Sequence, residues 1–347
     1  MPRVYNFALS YSRVVPDLQS LLTNIPKLEE LLNQARAKRL TLENNLSTTA
    51  FRLVNSSADG VPDLSVDFFS NVLVASLYTD LSEKQENTLL EVLAEVFQPQ
   101  GIYLKRRPKE ARHVANVARD SLAPDAPAWG ERMDELAILE QGVKYLIRPG
   151  GDLSVGLFLD MREPRAWLKH HVAGKTVLNT FAYTCGFGLV SSLNGAARVV
   201  NLDLSRRVLG WGEENYRLNN LEPKRFDFIS GDVFDWLGRF ARREDKFDVV
   251  ILDPPSFATS KNVRFSAAAN YDELVALASR IVAPDGLLLA CCNLAQLSKR
   301  AFYAQIKTGL KRANRGFNLL DSLGQSKIDF PTPENLESPL KVFALEL

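Results

Sequence analysis

An acidic residue at the end of a buried strand is the first feature of this sequence that could do chemistry. Residues Phe247–Leu252 are apolar apart from Asp248, which is typical of a strand buried on both faces of a parallel sheet. Asp253 follows, and Pro254-Pro255 ends the strand because proline cannot donate a ladder hydrogen bond. Ligands of open α/β sheets bind at the carboxyl ends of strands, so we expect Asp253 to face a ligand. The alternative is a capping aspartate in a rigid turn.

Two adjacent cysteines end another apolar run, Leu287–Cys292. Side chains of a strand alternate between its faces, so one of Cys291 and Cys292 is expected to point toward the same sheet edge as Asp253. A thiolate there could act as a nucleophile, whereas the alternative is a pair of core cysteines. With Cys185 the chain has three cysteines, which form neither a disulfide framework nor a Cys-x-x-Cys zinc pair. We therefore expect free thiols and no bound metal.

Three further strand ends predict a nucleotide-like ligand. Gly186 and Gly188 follow one strand and allow close backbone approach, but their spacing is not the full dinucleotide fingerprint, which disfavours a nicotinamide dehydrogenase. Asp203 ends the next strand, where a carboxylate can accept both hydroxyls of a ribose. Asp232 follows a third strand and could accept from the amine of an adenine held against residues 233–234. Either acid alone is better explained as a helix cap, but the combination indicates a cofactor.

Composition and charge narrow the class of protein. The chain has 347 residues, enough for two or three domains, with 46 % hydrophobic and 24 % charged residues, as in soluble globular proteins. Lysine and arginine number 42 against 41 acidic residues, so any nucleic-acid contact must come from a local patch. No apolar run is long enough to span a bilayer, and the first residues lack the order of a signal peptide. We therefore expect a cytoplasmic protein with no membrane partner.

The elements that must position these residues alternate between strand and helix from about residue 151 to 347. This alternation predicts an α/β fold with a doubly wound sheet. Leucines at helical spacing predict that residues 1–47 are helical. Residues 48–120 predict a small α+β domain, and residues 121–150 a proline-rich linker followed by a hairpin that turns near Gln141-Gly142.

Local basic clusters are candidate contacts for a polyanion. The densest is the segment 105–109, with Arg112, His113 and Arg119 close behind. It could neutralise phosphates, with Tyr103 available for base stacking, or it could be a solvated loop. Arg36, Lys38 and Arg39 form a smaller cluster, for which a solvated helix is the favoured interpretation.

Five motifs resemble those of one enzyme family. They are Arg52-Leu-Val-Asn with Asp59-Gly-Val-Pro, Gly156-Leu-Phe-Leu-Asp-Met-Arg-Glu163, Asn179-Thr-Phe-Ala-Tyr-Thr-Cys-Gly-Phe187, Gly231-Asp-Val-Phe234 and Asp253-Pro-Pro-Ser-Phe257. Over roughly residues 48–347 the chain resembles class I S-adenosylmethionine-dependent methyltransferases, which have a Rossmann-like sheet. It is most similar to the bacterial group that includes the 23S ribosomal RNA cytosine-5 methyltransferases. Residues 1–47 are too short for the pseudouridine-synthase-associated RNA-binding module common in that group, and Met161 and Pro164 replace its usual Gln and Asn.

The resemblance implies S-adenosylmethionine as the cofactor. It implies that the segment Phe158–Arg162 folds over the cofactor and that Arg162 holds the methionine carboxylate, a task that suits a bidentate guanidinium. A surface salt bridge is the alternative role for Arg162. The predicted cofactor-binding residues are Phe158, Asp160, Arg162, Asn179, Phe181, Tyr183, Thr184, Gly186, Asp203, Leu204, Ser205, Gly231, Asp232, Val233, Phe234, Asp253 and Pro254.

The resemblance also implies methylation of RNA, most simply at carbon-5 of a cytosine in large-subunit ribosomal RNA. The Ser-Cys-Ser pattern of the group then makes Cys292 the nucleophile that adds to carbon-6, with Asp253 as the second catalytic residue on the base edge, although Asn293 departs from the pattern. One alternative is methylation of a purine nitrogen in ribosomal RNA without a covalent step. Another is a cofactor-binding protein without catalysis, against which the intact aspartates count. The oligomeric state stays open, a homodimer included.

Overall fold

The computed structural model describes residues 16–107, 119–259, 264–333 and 335–347. Three helices come first, α1 (Leu18–Leu21), α2 (Ile25–Ala37) and α3 (Leu40–Glu43). Next come β1 (Ala50–Asn55), β2 (Leu64–Phe69), β3 (Val72–Leu77), α4 (Glu83–Phe97), β4 (Gly101–Arg106), α5 (Arg119–Leu122) and β5 (Trp129–Gly130). The strands form one sheet in the order β1-β2-β3-β4-β5, in which only β3 and β4 run parallel.

Helices α2 and α4 cover one face of this first sheet. Helix α4 begins with a capping box, in which Ser82 accepts from the N–H of Gln85 and the Gln85 side chain accepts from the N–H of Ser82. Leu32 of α2 and Leu89 of α4 are fully buried in one cluster with Phe51 of β1. The amino-terminal helices are therefore part of a packed layer, not a solvated hairpin.

The smaller basic cluster belongs to this layer. The Arg39 side chain is fully buried, and its Nη1 and Nη2 donate to the two carboxylate oxygens of Asp59 at 2.8 and 2.6 Å. Lys38 also reaches Asp59, at 3.0 Å, and Arg36 pairs with Glu43. Because these cations already hold acids of the layer, their arrangement does not favour the polyanion contact.

The denser basic cluster is in part structural as well. The Lys105 side chain is fully buried, and Arg106 Nε donates to Glu86 Oε1 at 2.7 Å. Tyr103 is also fully buried, with its hydroxyl donating to the carbonyl of Met133. The positions of Lys105, Arg106 and Tyr103 do not favour an RNA contact, because two of them are buried and Arg106 is held by an acid. Lys109, Arg112 and His113 lie outside the described residues, as does the side chain of Arg119.

A hairpin lies between the two sheets of the protein. Strands β6 (Leu136–Glu140) and β7 (Val143–Ile147) pair around Gln141 and Gly142, both with positive φ as a tight two-residue turn requires. Tyr145 and Ile147 of β7 are buried in a cluster that contains residues of both neighbouring sheets. The hairpin predicted near Gln141-Gly142 is therefore present, and it joins the two halves of the chain.

The second sheet has seven strands in the described part of the chain. In chain order its elements are α6 (Arg162–Leu168), β8 (Thr176–Thr180), α7 (Gly186–Leu193), β9 (Arg198–Asp203), α8 (Arg206–Leu218), β10 (Phe228–Ser230), α9 (Val233–Arg242), β11 (Phe247–Leu252), the short hairpin β12 (Phe257–Thr259) with β13 (Arg264–Ser266), α10 (Tyr271–Ala278), β14 (Val282–Asn293), α11 (Lys299–Arg312), β15 (Asn318–Leu323) and β16 (Leu340–Glu346). The spatial order is β10-β9-β8-β11-β14-β16-β15, and β16 runs antiparallel to both of its neighbours.

Helices pack on both faces of this sheet. In β11, Val249 and Ile251 are buried with residues of α6 and α7, whereas Val250 and Leu252 are buried with residues of α9, α10 and α11. This two-sided burial explains the continuous apolar run and confirms the predicted doubly wound α/β fold. Helix α6 and the hairpin β12–β13 were not predicted.

The connection between β15 and β16 reaches back to the first sheet through Asp329. This residue is fully buried, and its Oδ1 accepts from Arg162 Nη2 at 2.5 Å. Its Oδ2 accepts from the backbone N–H of Arg52 at 3.3 Å, and its carbonyl accepts from Arg39 at 3.2 Å. One carboxylate therefore links the amino-terminal layer to helix α6.

Candidate active site

A cavity of about 520 Å³ lies at the carboxyl ends of β8, β9, β11 and β14. Most of the residues predicted to contact a cofactor line it, although they come from separate strand ends. Those lining residues are Phe158, Asp160, Asn179, Phe181, Tyr183, Thr184, Gly186, Asp203, Leu204, Asp232, Val233, Phe234, Asp253 and Pro254. The structure thus brings four sequence motifs together around one cavity. This is the expected place for a ligand, since ligands of open α/β sheets bind at the carboxyl ends of the strands.

The turn after β8 is held in an unusual backbone conformation. Phe181, Tyr183 and Cys185 all have positive φ, at 53°, 48° and 65°, which non-glycine residues adopt only at a cost. The N–H of Tyr183 donates to Asp203 at 2.9 Å, and Thr184 Oγ1 donates to the carbonyl of Gly156. These bonds hold the turn against the cavity, and such strain is concentrated at functional sites.

The two glycines of this turn have different roles. Gly186 lines the cavity, as expected for a residue that lets the backbone approach a ligand. At Gly188, by contrast, a Cβ would lie 1.9 Å from Oδ1 of Asn201 in β9. The prediction that Gly188 approaches a ligand is wrong, because its missing side chain lets α7 pack against the sheet.

Asp203 is fixed by two backbone donors. Its Oδ2 accepts from the N–H of Tyr183 at 2.9 Å and its Oδ1 from the N–H of Ser205 at 2.8 Å. Each carboxylate oxygen can accept a second hydrogen bond, so the group can still take the two hydroxyls of a ribose. Ser205 itself does not line the cavity, and its backbone N–H acts through Asp203.

Asp232 is a helix cap that also lines the cavity. It is the N-cap of α9, where its Oδ1 accepts from the N–H groups of Phe234 and Asp235 at 2.8 and 3.3 Å. Both of these bonds use Oδ1, and the residue also lines the cavity. Gly231 does not line it; a Cβ there would lie 2.3 Å from Nε1 of Trp236, so this glycine makes room for the indole.

The arginine at the cavity is not the predicted one. Arg162 is buried, bound to Asp329, and does not line the cavity. Arg165, one helical turn later, does line it, with Nε and Nη2 donating to Glu140 at 2.6 and 2.8 Å. Arg165 was missed because its partner Glu140 lies in the preceding hairpin, which the local sequence does not reveal.

Two aspartates and an asparagine form the polar end of the cavity. Burial, together with the nearby charge of Asp160, raises the pKa of Asp253 to about 7, against the opposing charge of Arg165. Burial also raises the pKa of Asp160, against the opposing charges of Arg52 and Arg165. Asn293, the last residue of β14, donates from Nδ2 to Asp160 at 2.6 Å and lines the cavity.

The cysteine sulfurs are outside the cavity. Cys292 is 1 % exposed and packs in the core with α10 and α11, while Cys291 is fully buried on the opposite face of the sheet. Burial raises the pKa of both thiols. Neither sulfur therefore lines the cavity in this structure; β14 extends one residue beyond Cys292, and the side chain that lines the cavity from this strand is Asn293. Cys185 is also buried.

Part of the cavity wall is apolar. The apolar residues are ones that the sequence did not identify as part of a site: Leu157, Met161, Phe187 and Phe265.

Within residues 16–107, 119–259, 264–333 and 335–347, no cluster of three His, Cys, Asp or Glu could hold a metal ion. In the same ranges no helix has the length and apolar character needed to cross a bilayer.

Comparison with known proteins identifies the relatives of this chain. The family model described as S-adenosylmethionine-dependent methyltransferase matches residues 52–307. "Ribosomal RNA large subunit methyltransferase I" of Aeromonas hydrophila is 31 % identical over 85 % of this chain and 74 % of its own length. The protein of the same name from Photobacterium profundum is 31 % identical over 92 % and 80 %. The solved structure of SMU.776 in complex with SAH has a TM-score of 0.84 at 27 % identity, covering 93 % of this chain and 82 % of that one.

Proposed function

Because this chain belongs to the S-adenosylmethionine-dependent methyltransferase family, we propose that it methylates RNA, at a base nitrogen of the large-subunit ribosomal RNA, with a purine as the first candidate. When bound, S-adenosylmethionine supplies the methyl group. The names of the relatives support RNA as the substrate class. The observation that carries the choice of nitrogen is the position of Asp253 and Asn293 at the cavity, with the sulfur of Cys292 in the core.

The cavity suits the cofactor at each end. Asp203 has carboxylate lone pairs for the ribose hydroxyls, and Asp232 has one oxygen beyond its cap bonds for the adenine amine. Val233 and Phe234 supply apolar surface for the adenine ring. At the other end, Arg165 is the cation placed to attract the methionine carboxylate in place of Arg162.

The acceptor side suits an amine or a ring nitrogen. A base nitrogen already has a lone pair, so the protein only needs to orient it and accept its proton. Asp253 can do both, because its pKa of about 7 lets the group exchange a proton near neutral pH. Carbon-5 of cytosine needs a thiolate as well, and no thiol in the described residues faces the cavity.

Nucleoside mass spectrometry tests the acceptor. Ribosomal RNA from cells that lack the protein is incubated with purified enzyme and methyl-labelled S-adenosylmethionine, then digested. We expect the label in a methylated purine. Label in 5-methylcytidine would overturn the nitrogen assignment and give Cys292 a part in the chemistry. If no nucleoside is labelled although the cofactor binds, the RNA assignment is wrong.

The two adjacent cysteines offer a matched pair of variants. Cys291→Ser and Cys292→Ser each place a hydroxyl in the core, and the sulfurs lie on opposite sheet faces. For nitrogen methylation, both variants keep most of the kcat and lose similar stability, about 1–3 kcal/mol each. A selective loss of activity in Cys292→Ser alone contradicts the proposal and supports the carbon-5 mechanism.

A further inference from the structure

A second cleft of about 570 Å³ lies beside the cofactor cavity, between the first sheet and the seven-stranded sheet. Most of its lining comes from strands β1 and β3, the segment 153–160, and residues 325–333 and 336–339. It shares five lining residues with the cofactor cavity: Ser154, Leu157, Phe158, Asp160 and Asn293. The two spaces are therefore neighbours that share part of their walls.

The surface of the cleft suits stacked bases. Phe158 stands at the junction of the two spaces with 48 % of its surface exposed, and Leu336 on the opposite wall is 57 % exposed. Tyr78 adds aromatic surface to the lining, and Phe330, which is only 5 % exposed, also borders the cleft. Exposed aromatic and aliphatic side chains beside a catalytic cavity are the groups on which unpaired nucleotides stack.

Two arginines give the cleft fixed positive groups. Arg52 is held by Asp67 at 2.8 Å and lies over the ring of Phe330, 4.6 Å from its centre. Arg107 donates from Nη2 to the carbonyl of Leu153. Its Nε is buried and has no hydrogen-bond partner among the described residues. Guanidinium groups in such positions bind phosphate oxygens or stack on bases.

We propose that this cleft binds the single-stranded RNA that flanks the target base, and that the base enters the cofactor cavity between Phe158 and Asn293. The inference rests on the proposed RNA substrate and adds the path of the strand. The sheet of the amino-terminal half forms one wall of this path, and the connection that carries Leu336 forms the other. Two adjoining spaces provide separate places for the cofactor and for the nucleotides beside the acceptor.

Two exposed leucines provide a matched test. Leu336 lines the cleft, whereas Leu320 of β15, with 47 % of its surface exposed, does not. Leu336→Asp removes apolar surface and adds a negative charge at the cleft, so we expect the KM for ribosomal RNA to rise about tenfold. The kcat and the affinity for S-adenosylmethionine should stay unchanged. Leu320→Asp should change none of these quantities.

A direct binding measurement completes the test. Fluorescence anisotropy with a short labelled single-stranded RNA of mixed sequence should show weaker binding for Leu336→Asp than for Leu320→Asp. Equal binding and equal KM for the two variants, with the wild type active on RNA, would overturn the cleft assignment and leave the proposed function intact. A wild type that labels no RNA would instead overturn the proposed function, and the cleft assignment with it.

Discussion

The amide of Asn293 donates to the carboxylate of Asp160 at 2.6 Å, which links the end of β14 to the segment that lies over the cofactor cavity. Both residues line the cavity and the neighbouring cleft. This bond therefore fixes the distance between two walls of the site.

The first prediction concerns this bond. Asn293→Ala should lower kcat about 10–100-fold, because a small displacement of the groups that orient the acceptor is costly. The affinity for S-adenosylmethionine should change less than about threefold, since the predicted ribose and adenine contacts lie at other strand ends. Isothermal titration of the cofactor and steady-state kinetics measure the two quantities. A loss of cofactor affinity as large as the loss of kcat would contradict this separation.

The second prediction concerns the pH dependence of the rate. Asp253 has a pKa raised from 3.8 to about 7, so the carboxylate that accepts the proton is formed only as the pH rises through this value. We expect kcat to increase about tenfold per pH unit below pH 7 and to level off above it. Asp253→Asn should remove this step and lower kcat about 100-fold. A pH profile that is flat from about pH 5.5 to about 8 would exclude Asp253 as the proton acceptor.

Asp253 should also make the stability of the protein depend on pH. Stability should fall as the pH rises, whereas kcat should increase. Between pH 3.8 and about 7 the folded protein binds a proton at Asp253 that the unfolded chain does not bind. The free energy that this protonation contributes to folding is lost as the pH rises through this window. At about pH 8, Asp253→Asn should therefore be more stable than the wild type, by on the order of 1–3 kcal/mol. Urea denaturation at about pH 5 and about pH 8 measures the difference.

The third prediction concerns the buried pair of Arg162 and Asp329. Asp329→Ala leaves the Arg162 guanidinium buried without its acid, so we expect a loss of about 3–5 kcal/mol in the free energy of unfolding. The exposed pair of Arg132 and Asp125 is the control, and Asp125→Ala should cost less than about 1 kcal/mol. Similar losses for the two variants in chemical denaturation would show that Asp329 does not hold the layers together.

The fourth prediction separates two helical glycines. Gly188→Ala would place a Cβ 1.9 Å from Asn201 and should destabilise the protein by about 1–3 kcal/mol, since α7 or the strand must move. At Gly210 of α8 an added Cβ would have no neighbouring atom within 4 Å, so Gly210→Ala should stabilise by about 0.5–1 kcal/mol through helix propensity. Thermal unfolding of both variants gives the comparison, and a destabilised Gly210→Ala would contradict it.

The sequence predicted those features that depend on local pattern. The apolar run before Asp253 predicted a two-sided buried strand, and the acids at the end of β9 and after β10 predicted the sheet edge at which they meet. Partners that are distant in the chain were not predictable. Arg165 lines the cavity, whereas Arg162 is bound to Asp329, a residue 167 positions away in the chain.

The position of the two cysteines shows the same limit. A run of apolar residues ending at Cys292 does not reveal where the strand stops. The pairing of β14 with β16 extends the ladder to Asn293, opposite Leu340, and so decides which side chain lies at the cavity. The end of β14 therefore depends on its pairing with a strand that comes later in the chain, which the local sequence does not show.

The bonds of Asp329 also set a constraint on the order in which the chain can complete its fold during synthesis. Arg39 and Asp329 are 290 positions apart, and the buried arginine contacts the carbonyl of this late residue. At typical elongation rates, roughly 15–60 s separate the two residues on the ribosome. The amino-terminal helices therefore emerge long before this partner exists, and until the last strands arrive Arg39 has only its partners in the amino-terminal half, Asp59 and the carbonyls of Ala35 and Arg52.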